Sequence, residues 1–429
     1  MKNIRKLVVA ALGIASLATL AGCESVKGAV YEKGNPVKIG LICLHDDKST
    51  YDANFINGIK EAVANLGEKV SFDESCLLTG VNEDEACYNA AKDLVKKGCN
   101  VIFADSFGHQ DFMLKAAKKW PTVTFCHATG TNAKTANLDN YHNAFASIYE
   151  GRYMAGYAAG LKLGFTHAET LTSTAEVKVG YVGAYPYAEV KSGYTSWFLG
   201  LRAALEENGF SGANVVMDVQ FTNSWYYPEA EQSAAEALIK GGAVLISQHA
   251  DSMGAPGACE KANIPNVTYN IETKAECPNT YVAYSRINWA PYYEEVVKSL
   301  YEGRAIQGEV NHNWTGTLAT NSVQYNVNLD NLVKDQNVLF GLSKAAIETL
   351  LGSVEAGLRS GARKVFDCSQ FTVKGEHLTS YKADTDGDFA KDTEAIVTKD
   401  GITYFDESVH CSAPYFDIDI DGINLPAAK

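Results

Sequence analysis

Five short stretches of the chain mix aromatic rings with carboxylates or amides, and each follows an apolar run. They are His45-Asp46-Asp47-Lys48-Ser49-Thr50-Tyr51-Asp52, Asp105-Ser106-Phe107-Gly108, Tyr185-Pro186-Tyr187, Thr222-Asn223-Ser224-Trp225-Tyr226-Tyr227 and Gln248-His249-Ala250-Asp251-Ser252. Flat rings stack on a flat ligand, and carboxylates accept its N–H groups. Tyr51 and Trp225 lie in different halves of the chain and are placed to close on one planar ring. Two tyrosines and Pro228 follow Trp225, a loop context that speaks against burial in a core. Asp251 reads either as a helix N-cap or as an acceptor for a ligand.

Motifs for bond-making chemistry are sparse. The chain has no GxSxG, HExxH or GxxxxGK[ST] pattern. His45, His109 and His249 lie near strand ends beside Asp46, Asp47 and Asp251, without the spacing of a metal-ligand set. No catalytic residue, metal or cofactor is therefore expected. The stretch Asp384-Thr385-Asp386-Gly387-Asp388-Phe389-Ala390-Lys391 matches half of a calcium loop, but no terminal glutamate follows in register. A solvated turn is expected there.

These stretches need elements to hold them. Apolar runs predict strands over 37–43, 69–72, 100–104 and 121–126, separated by amphipathic helices over 52–66, 84–97 and 110–119. The rhythm restarts with a helix over 149–163. Strands at 177–183, 214–220, 243–247 and 267–270 then alternate with helices at 190–208 and 228–240 and one ending near 263. A unit at 282–302, a strand at 324–328 and a helix at 343–360 follow. β-rich runs alternating with helices imply α/β architecture with parallel sheets covered on both faces. In such sheets ligands bind beyond the carboxyl ends of the strands, where the five stretches fall. The doubled rhythm predicts two similar lobes, one from 37–147 plus about 275–305, the other from 148–274 plus about 306–429.

Composition narrows the function classes. The 429 residues carry a net charge of −14, which repels phosphate backbones and argues against nucleic acid. Lys2, Arg5 and Lys6 precede an apolar run over 7–20, too short to span a bilayer, and Leu20-Ala21-Gly22-Cys23 has the order of a bacterial lipobox. Residues 1–22 are read as a signal peptide, Cys23 as the lipidated residue and 23–36 as a tether. Nine further cysteines form no CxxC pair. Cys43, Cys99 and Cys126 read as small buried residues, and Cys76–Cys87 and Cys259–Cys277 as the first disulfides to test.

The lipobox, the Tyr149-Glu150-Gly151-Arg152-Tyr153-Met154-Ala155-Gly156 stretch and Gln248-His249-Ala250-Asp251-Ser252 together resemble the basic-membrane-protein family of lipoprotein solute receptors for ABC importers. Ser224-Trp225-Tyr226-Tyr227-Pro228 and Asn288-Trp289-Ala290-Pro291-Tyr292-Tyr293 are similar to its purine-binding branch. The resemblance covers about 37–320. It implies a type I periplasmic-binding fold, two Rossmann-like lobes joined by three crossovers. It also implies a base held between two aromatics with an aspartate on its edge. By position, Tyr51 stands where the branch usually has Trp, Trp225 is the second aromatic and Asp251 the carboxylate. Phe107, Glu150 and Asn270 are further pocket candidates. Asp52-Ala53-Asn54-Phe55 departs from the nucleoside receptors' pattern and favours a free base.

The function so implied is capture of a purine base or nucleoside by hinge closure and delivery to an ABC permease. The protein is expected to be a monomer, lipid-anchored outside the cytoplasmic membrane, and to break no bond. A sugar or autoinducer receptor of the same fold, a nucleoside hydrolase and a partner for a membrane kinase are the alternatives.

Overall fold

The computed structural model describes residues 26–306, 312–336 and 341–426. Cys23, the 1–22 segment and the first residues of the 23–36 tether lie outside them. No helix among the described residues is long and apolar enough to cross a membrane.

Two α/β sheets form the body. In the first, the strands run in the order Asn313–Gly316, Tyr141–Ala146, Thr124–Ala128, Val101–Ala104, Val37–Ile42, Val70–Ser71, all parallel, and Leu77–Leu78 also pairs with Val37–Ile42. In the second the order is Val323–Val327, Tyr281–Ile287, Asn266–Tyr269, Ala243–His249, Val177–Gly183, Val215–Phe221, Ile423–Asn424. There Val323–Val327 alone among the described strands is antiparallel. Both orders reverse direction beside their first strand, so each sheet has a switch point where the loops diverge and leave a crevice. Nearly every residue of Val37–Ile42 and Val101–Ala104 is buried, as strands covered on both faces require.

Local signals set the helices. The Thr50–Leu66 helix starts at Ser49, whose side chain accepts the Asp52 N–H, and stops at Gly67, which takes a φ of 56°. Asp84 caps Glu85–Lys96 in the same way, and Pro228 opens Pro228–Lys240. The Ile148–Leu171 helix runs a full two turns past its expected end, with a non-helical residue at His167.

Three segments cross between the sheets: Ala146 to Ile148, Ile287 to Ala290 and Gly316 to Val323. This redraws the expected lobe boundaries. Tyr281–Ile287, which sequence places in the first lobe, pairs within the second sheet, and Asn313–Gly316, which sequence places in the second, pairs with Tyr141–Ala146 in the first. Periodicity identifies a strand but not its sheet; that depends on which neighbour offers a matching edge. Tyr141–Ala146 itself carries no clear strand signal, because His142 and Asn143 interrupt its apolar run.

Beyond the Lys344–Ser360 helix the chain forms a small subdomain. Ile396–Lys399 and Ile402–Phe405 make a hairpin, Lys382–Ala383 pairs with Thr393–Glu394, and Ile423–Asn424 joins the second sheet. Its core is aromatic, with Phe366 and Phe416 stacked 4.3 Å apart. The carboxylates of Asp384, Asp386 and Asp388 lie within 4.8 Å of one another. Asp384 accepts the backbone N–H groups of Asp386, Gly387 and Phe389, which closes the turn on itself.

The nine cysteines of the described residues are buried free thiols, and neither Cys76–Cys87 nor Cys259–Cys277, the first pairs to test, is bridged. Cys76 faces Cys99 instead, with the sulfurs 3.8 Å apart.

Candidate functional site: an aromatic and acidic cleft between the lobes

The carboxyl ends of the two sheets face each other across a cleft with about 430 Å³ of unfilled space, its solvent-facing part included. Leu44, His45, Tyr51, Asp52, Ser106, Phe107 and Thr129 line it from the first lobe, and Glu189, Trp225, His249, Asp251 and Tyr269 from the second. Most of these positions follow the strands on either side of a switch point, which is why they converge. The lobes touch at the mouth, where the Thr50 N–H donates to the Asp251 carbonyl at 2.8 Å.

Each aromatic is held differently. Tyr51, one residue into its helix, donates its hydroxyl to the Asp105 carbonyl at 2.8 Å and rests its ring 4.9 Å from Phe55. Trp225 meets Tyr185 edge-on at 5.2 Å. Phe107 is 48 % exposed and stands at the mouth. Tyr269 is backed by the buried Arg152 guanidinium, 3.4 Å from the ring centroid, while Arg152 also donates to the Gln248 carbonyl at 2.8 Å.

Glu231, fully buried, organises the second-lobe loops. It accepts the Tyr227 N–H at 3.0 Å and the Ser252 N–H at 3.1 Å. The Asp251 N–H in turn donates to the Trp225 carbonyl at 2.9 Å. The ring and the carboxyl thus sit in one hydrogen-bonded unit. Asn270 turns the chain after its strand with a φ of 71°, and its amide donates to Asp251 Oδ1 at 3.1 Å.

The acid groups divide by environment. Burial pushes Asp251 well above the usual carboxylate range, and Glu231, Asp52 and Glu189 push it further. Burial likewise lifts Glu189 to about 7. Asp52 goes the other way: burial opposes it, but hydrogen bonds from His45 and Ser49 hold it below its ordinary value. Asp105 is raised by burial and by that neighbouring carboxylate. Burial and the Arg152 charge hold His249 well below its ordinary value. A protonated carboxyl both donates and accepts. A carboxyl raised in this way can face the edge of a planar ligand, accepting its N–H groups and, when protonated, donating to a ring nitrogen. Cys43, Asp52 and Asp105, all buried, form a second group within 4.8 Å, with Asp52 also lining the cleft; burial and Asp105 push the Cys43 thiol up.

The cleft unites four of the sequence-predicted residues: Tyr51, Phe107, Trp225 and Asp251, with Asn270 immediately behind. Glu150 is not among its lining. It faces a separate cavity beside the third crossover, accepts the Leu318 N–H at 2.9 Å, and is lifted by burial to about 7. The residue of that helix start that reaches toward the cleft is Arg152, beneath Tyr269. Glu189, Tyr269 and Thr129 in the cleft lining, and Glu231 behind it, are positions that the sequence does not point to. Thr129 and Tyr269 lie at or after strand ends, so a scan of every strand end reaches them; Glu189 and Glu231 sit in the first turns of helices and carry no such signal.

A buried carboxyl in the C-terminal subdomain adds a pH dependence. Glu407 accepts Ser192 Oγ at 2.6 Å and the Phe416 N–H at 2.8 Å, yet burial pushes it from an ordinary 4.5 up to about 8. Between those values the unfolded chain has released a proton that the native state keeps. Stability is therefore highest below about pH 4.5 for this group and falls as pH rises toward 8. Glu407→Gln is expected to flatten that fall in thermal midpoint over the same window. An unchanged slope would assign the titration elsewhere.

Two lobes joined by three crossovers, with a cleft at paired switch points, define a ligand-binding protein of the type I periplasmic-binding fold. A solute-binding protein of an ABC transporter from Aeropyrum pernix K1 superposes with a TM-score of 0.60 at 14% identity, covering 80% of this chain and 95% of that one. The family model for PnrA-like ABC transporter substrate-binding proteins, Bmp, matches residues 41–344, and the chain belongs to that family. A purine-binding protein of Brucella abortus is 31% identical over 290 residues, 67% of this chain and 75% of its own. A putative ABC transporter glucose-binding protein of Haloferax volcanii is 32% identical over 204 residues, 48% of this chain and 46% of its own. The family is one of ABC transporter substrate-binding proteins.

Proposed function

We propose that this protein captures a purine base or nucleoside in the cleft and presents it to an ABC permease, tethered through a lipid on Cys23. The carrying observation is the placing of Tyr51 and Trp225, from opposite lobes, around one cleft that also holds the buried carboxyl of Asp251. A purine edge alternates acceptor nitrogens with N–H groups, and its faces stack on aromatic rings. Ligand bridging both lobes stabilises the closed form through contacts the open form lacks. The similarity to a purine-binding relative supports the same ligand class.

The glucose-binding relative keeps a sugar receptor as the second reading. A sugar ring needs many polar partners, and among the described residues the buried Arg152 spends one nitrogen on the Gln248 carbonyl while its Nε has no hydrogen-bond partner, so a direct comparison of the two ligand classes decides. Calorimetric titration with adenine, guanine, hypoxanthine, their nucleosides, ribose and glucose separates the two. Heat with a purine and none with the sugars is expected. Binding of glucose alone would replace the purine assignment.

A further inference from the structure

The family match ends at residue 344, yet the chain continues into the 361–426 subdomain, and that subdomain touches both lobes on their cleft side. Its anchors are on the second lobe. Ile423–Asn424 extends the second sheet beside Met217 and Asp218, Lys191 pairs with Asp419, and Glu407 receives the Ser192 hydroxyl. Ser192 lies in the first turns of the same helix as Glu189, a cleft residue.

From those anchors the segment reaches across. Ser412, buried, accepts Asn143 Nδ2 at 2.9 Å and donates to Asn313 Oδ1 at 3.2 Å. Asn143 and Asn313 sit opposite each other on paired strands of the first lobe. Asn143 also receives the Gly130 N–H at 2.8 Å, one residue from the cleft-lining Thr129. The backbone at Gly387 lies against Thr131 so closely that an added Cβ would stand 2.4 Å from its hydroxyl. Between the two ends, Ser408 bonds Ser147 at 3.0 Å and Tyr149 at 3.2 Å, at the first crossover. One segment therefore holds the second lobe, the hinge and the first lobe at once, in a conformation whose mouth is also joined through Thr50 and Asp251.

A body fixed to one lobe must part from the other when the hinge opens. We infer that residues 361–426 are a strap, carried by the second lobe, that latches the first lobe through Ser412 and sets how readily the cleft opens and releases its ligand. Opening would break both Ser412 bonds, while Asn143 Nδ2 keeps Asn313 Oδ1 at 3.0 Å, so the loss of those two bonds is what penalises the open form.

The test uses the full chain and two variants. Ser412→Ala removes the latch; Ser412→Thr keeps a hydroxyl and serves as rescue. In the ligand-free protein, Ser412→Ala is expected to raise the radius of gyration by small-angle scattering, and to speed hydrogen exchange of the Tyr141–Ala146 and Asn313–Gly316 amides. Ser412→Thr is expected to restore both. The second readout, which rests on the purine reading, is adenine release by stopped flow: about tenfold faster in Ser412→Ala. Wild-type scattering and exchange in Ser412→Ala would overturn the strap, whatever the purine result. Scattering and exchange that shift in a protein that binds no purine would uphold the strap and remove the ligand assignment. If Ser412→Ala does not fold, Ser408→Ala, at a half-buried position, is read by the same measurements.

Discussion

Trp225→Ala is expected to weaken purine binding by about 30-fold or more, roughly 2 kcal/mol, the loss typical of a buried aromatic at a binding centre. The ring lines the cleft from the second lobe, and its backbone carbonyl is already held by the Asp251 N–H. Truncation therefore removes the stacking face while the loop keeps its hydrogen bonds, including the pair that Glu231 makes to Tyr227 and Ser252. The fold should survive, since Trp225 lies outside the fully buried core and packs chiefly on Tyr185 and Tyr187. Titration calorimetry and a thermal melt measure the two quantities on one sample. Wild-type affinity in a folded Trp225→Ala protein would remove Trp225 from the site and, with it, the stacked-base reading.

The largest effect on stability is expected at Gly156. The Ile148–Leu171 and Ala188–Glu207 helices pack backbone against backbone: a Cβ on Gly156 would stand 1.9 Å from the Trp197 carbonyl oxygen, one on Gly200 2.1 Å from that of Tyr153, and one on Gly160 2.3 Å from that of Leu201. No rotamer change relieves a clash with a carbonyl, so the helices must separate. Gly156→Ala is expected to cost about 3 kcal/mol or more, at or above the upper end for an overpacked core. Gly352 is the control of opposite sign. It lies exposed in the Lys344–Ser360 helix, and a Cβ added there would meet nothing within 4 Å. There alanine should be neutral or stabilising by about 0.5–1 kcal/mol, from helix propensity alone. Denaturant unfolding of both variants checks the contrast; equal stabilities would mean the helix pair yields without cost. Arg152 is one turn from Gly156, so loss of ligand affinity should accompany the loss of stability.

Much of the site is legible in the sequence because one rule covers most of it. Tyr51, Phe107, Trp225 and Asp251 all follow apolar runs, and parallel α/β sheets gather such positions at one end. Glu150 fails the same inference for a specific reason. It begins a helix at the first crossover, and a helix start there faces two ways: Arg152 runs beneath Tyr269, while Glu150 turns to Leu318 in another cavity. Glu231 escapes notice because its hydrogen bonds go to two loops, at Tyr227 and Ser252, that meet only in the folded state.

The sequence by itself determined the alternation of strands and helices, the doubling into two lobes and the aromatic and acidic character of the cleft. These follow from local periodicity and from the composition of short loops, which tertiary contacts do not alter. Tertiary structure alone decided which sheet receives Tyr281–Ile287 and Asn313–Gly316, because pairing depends on edges presented by distant segments. It decided that the Asp251 carboxyl is pushed above its ordinary value, since its burial and the approach of Glu231, Asp52 and Glu189 arise only on folding. It also decided where the last part of the chain lies. Nothing in the composition of 361–426 points to Asn143 or Asn313, and the contact with Ser412 exists because folding brings residues far apart in the chain to one flank of the cleft.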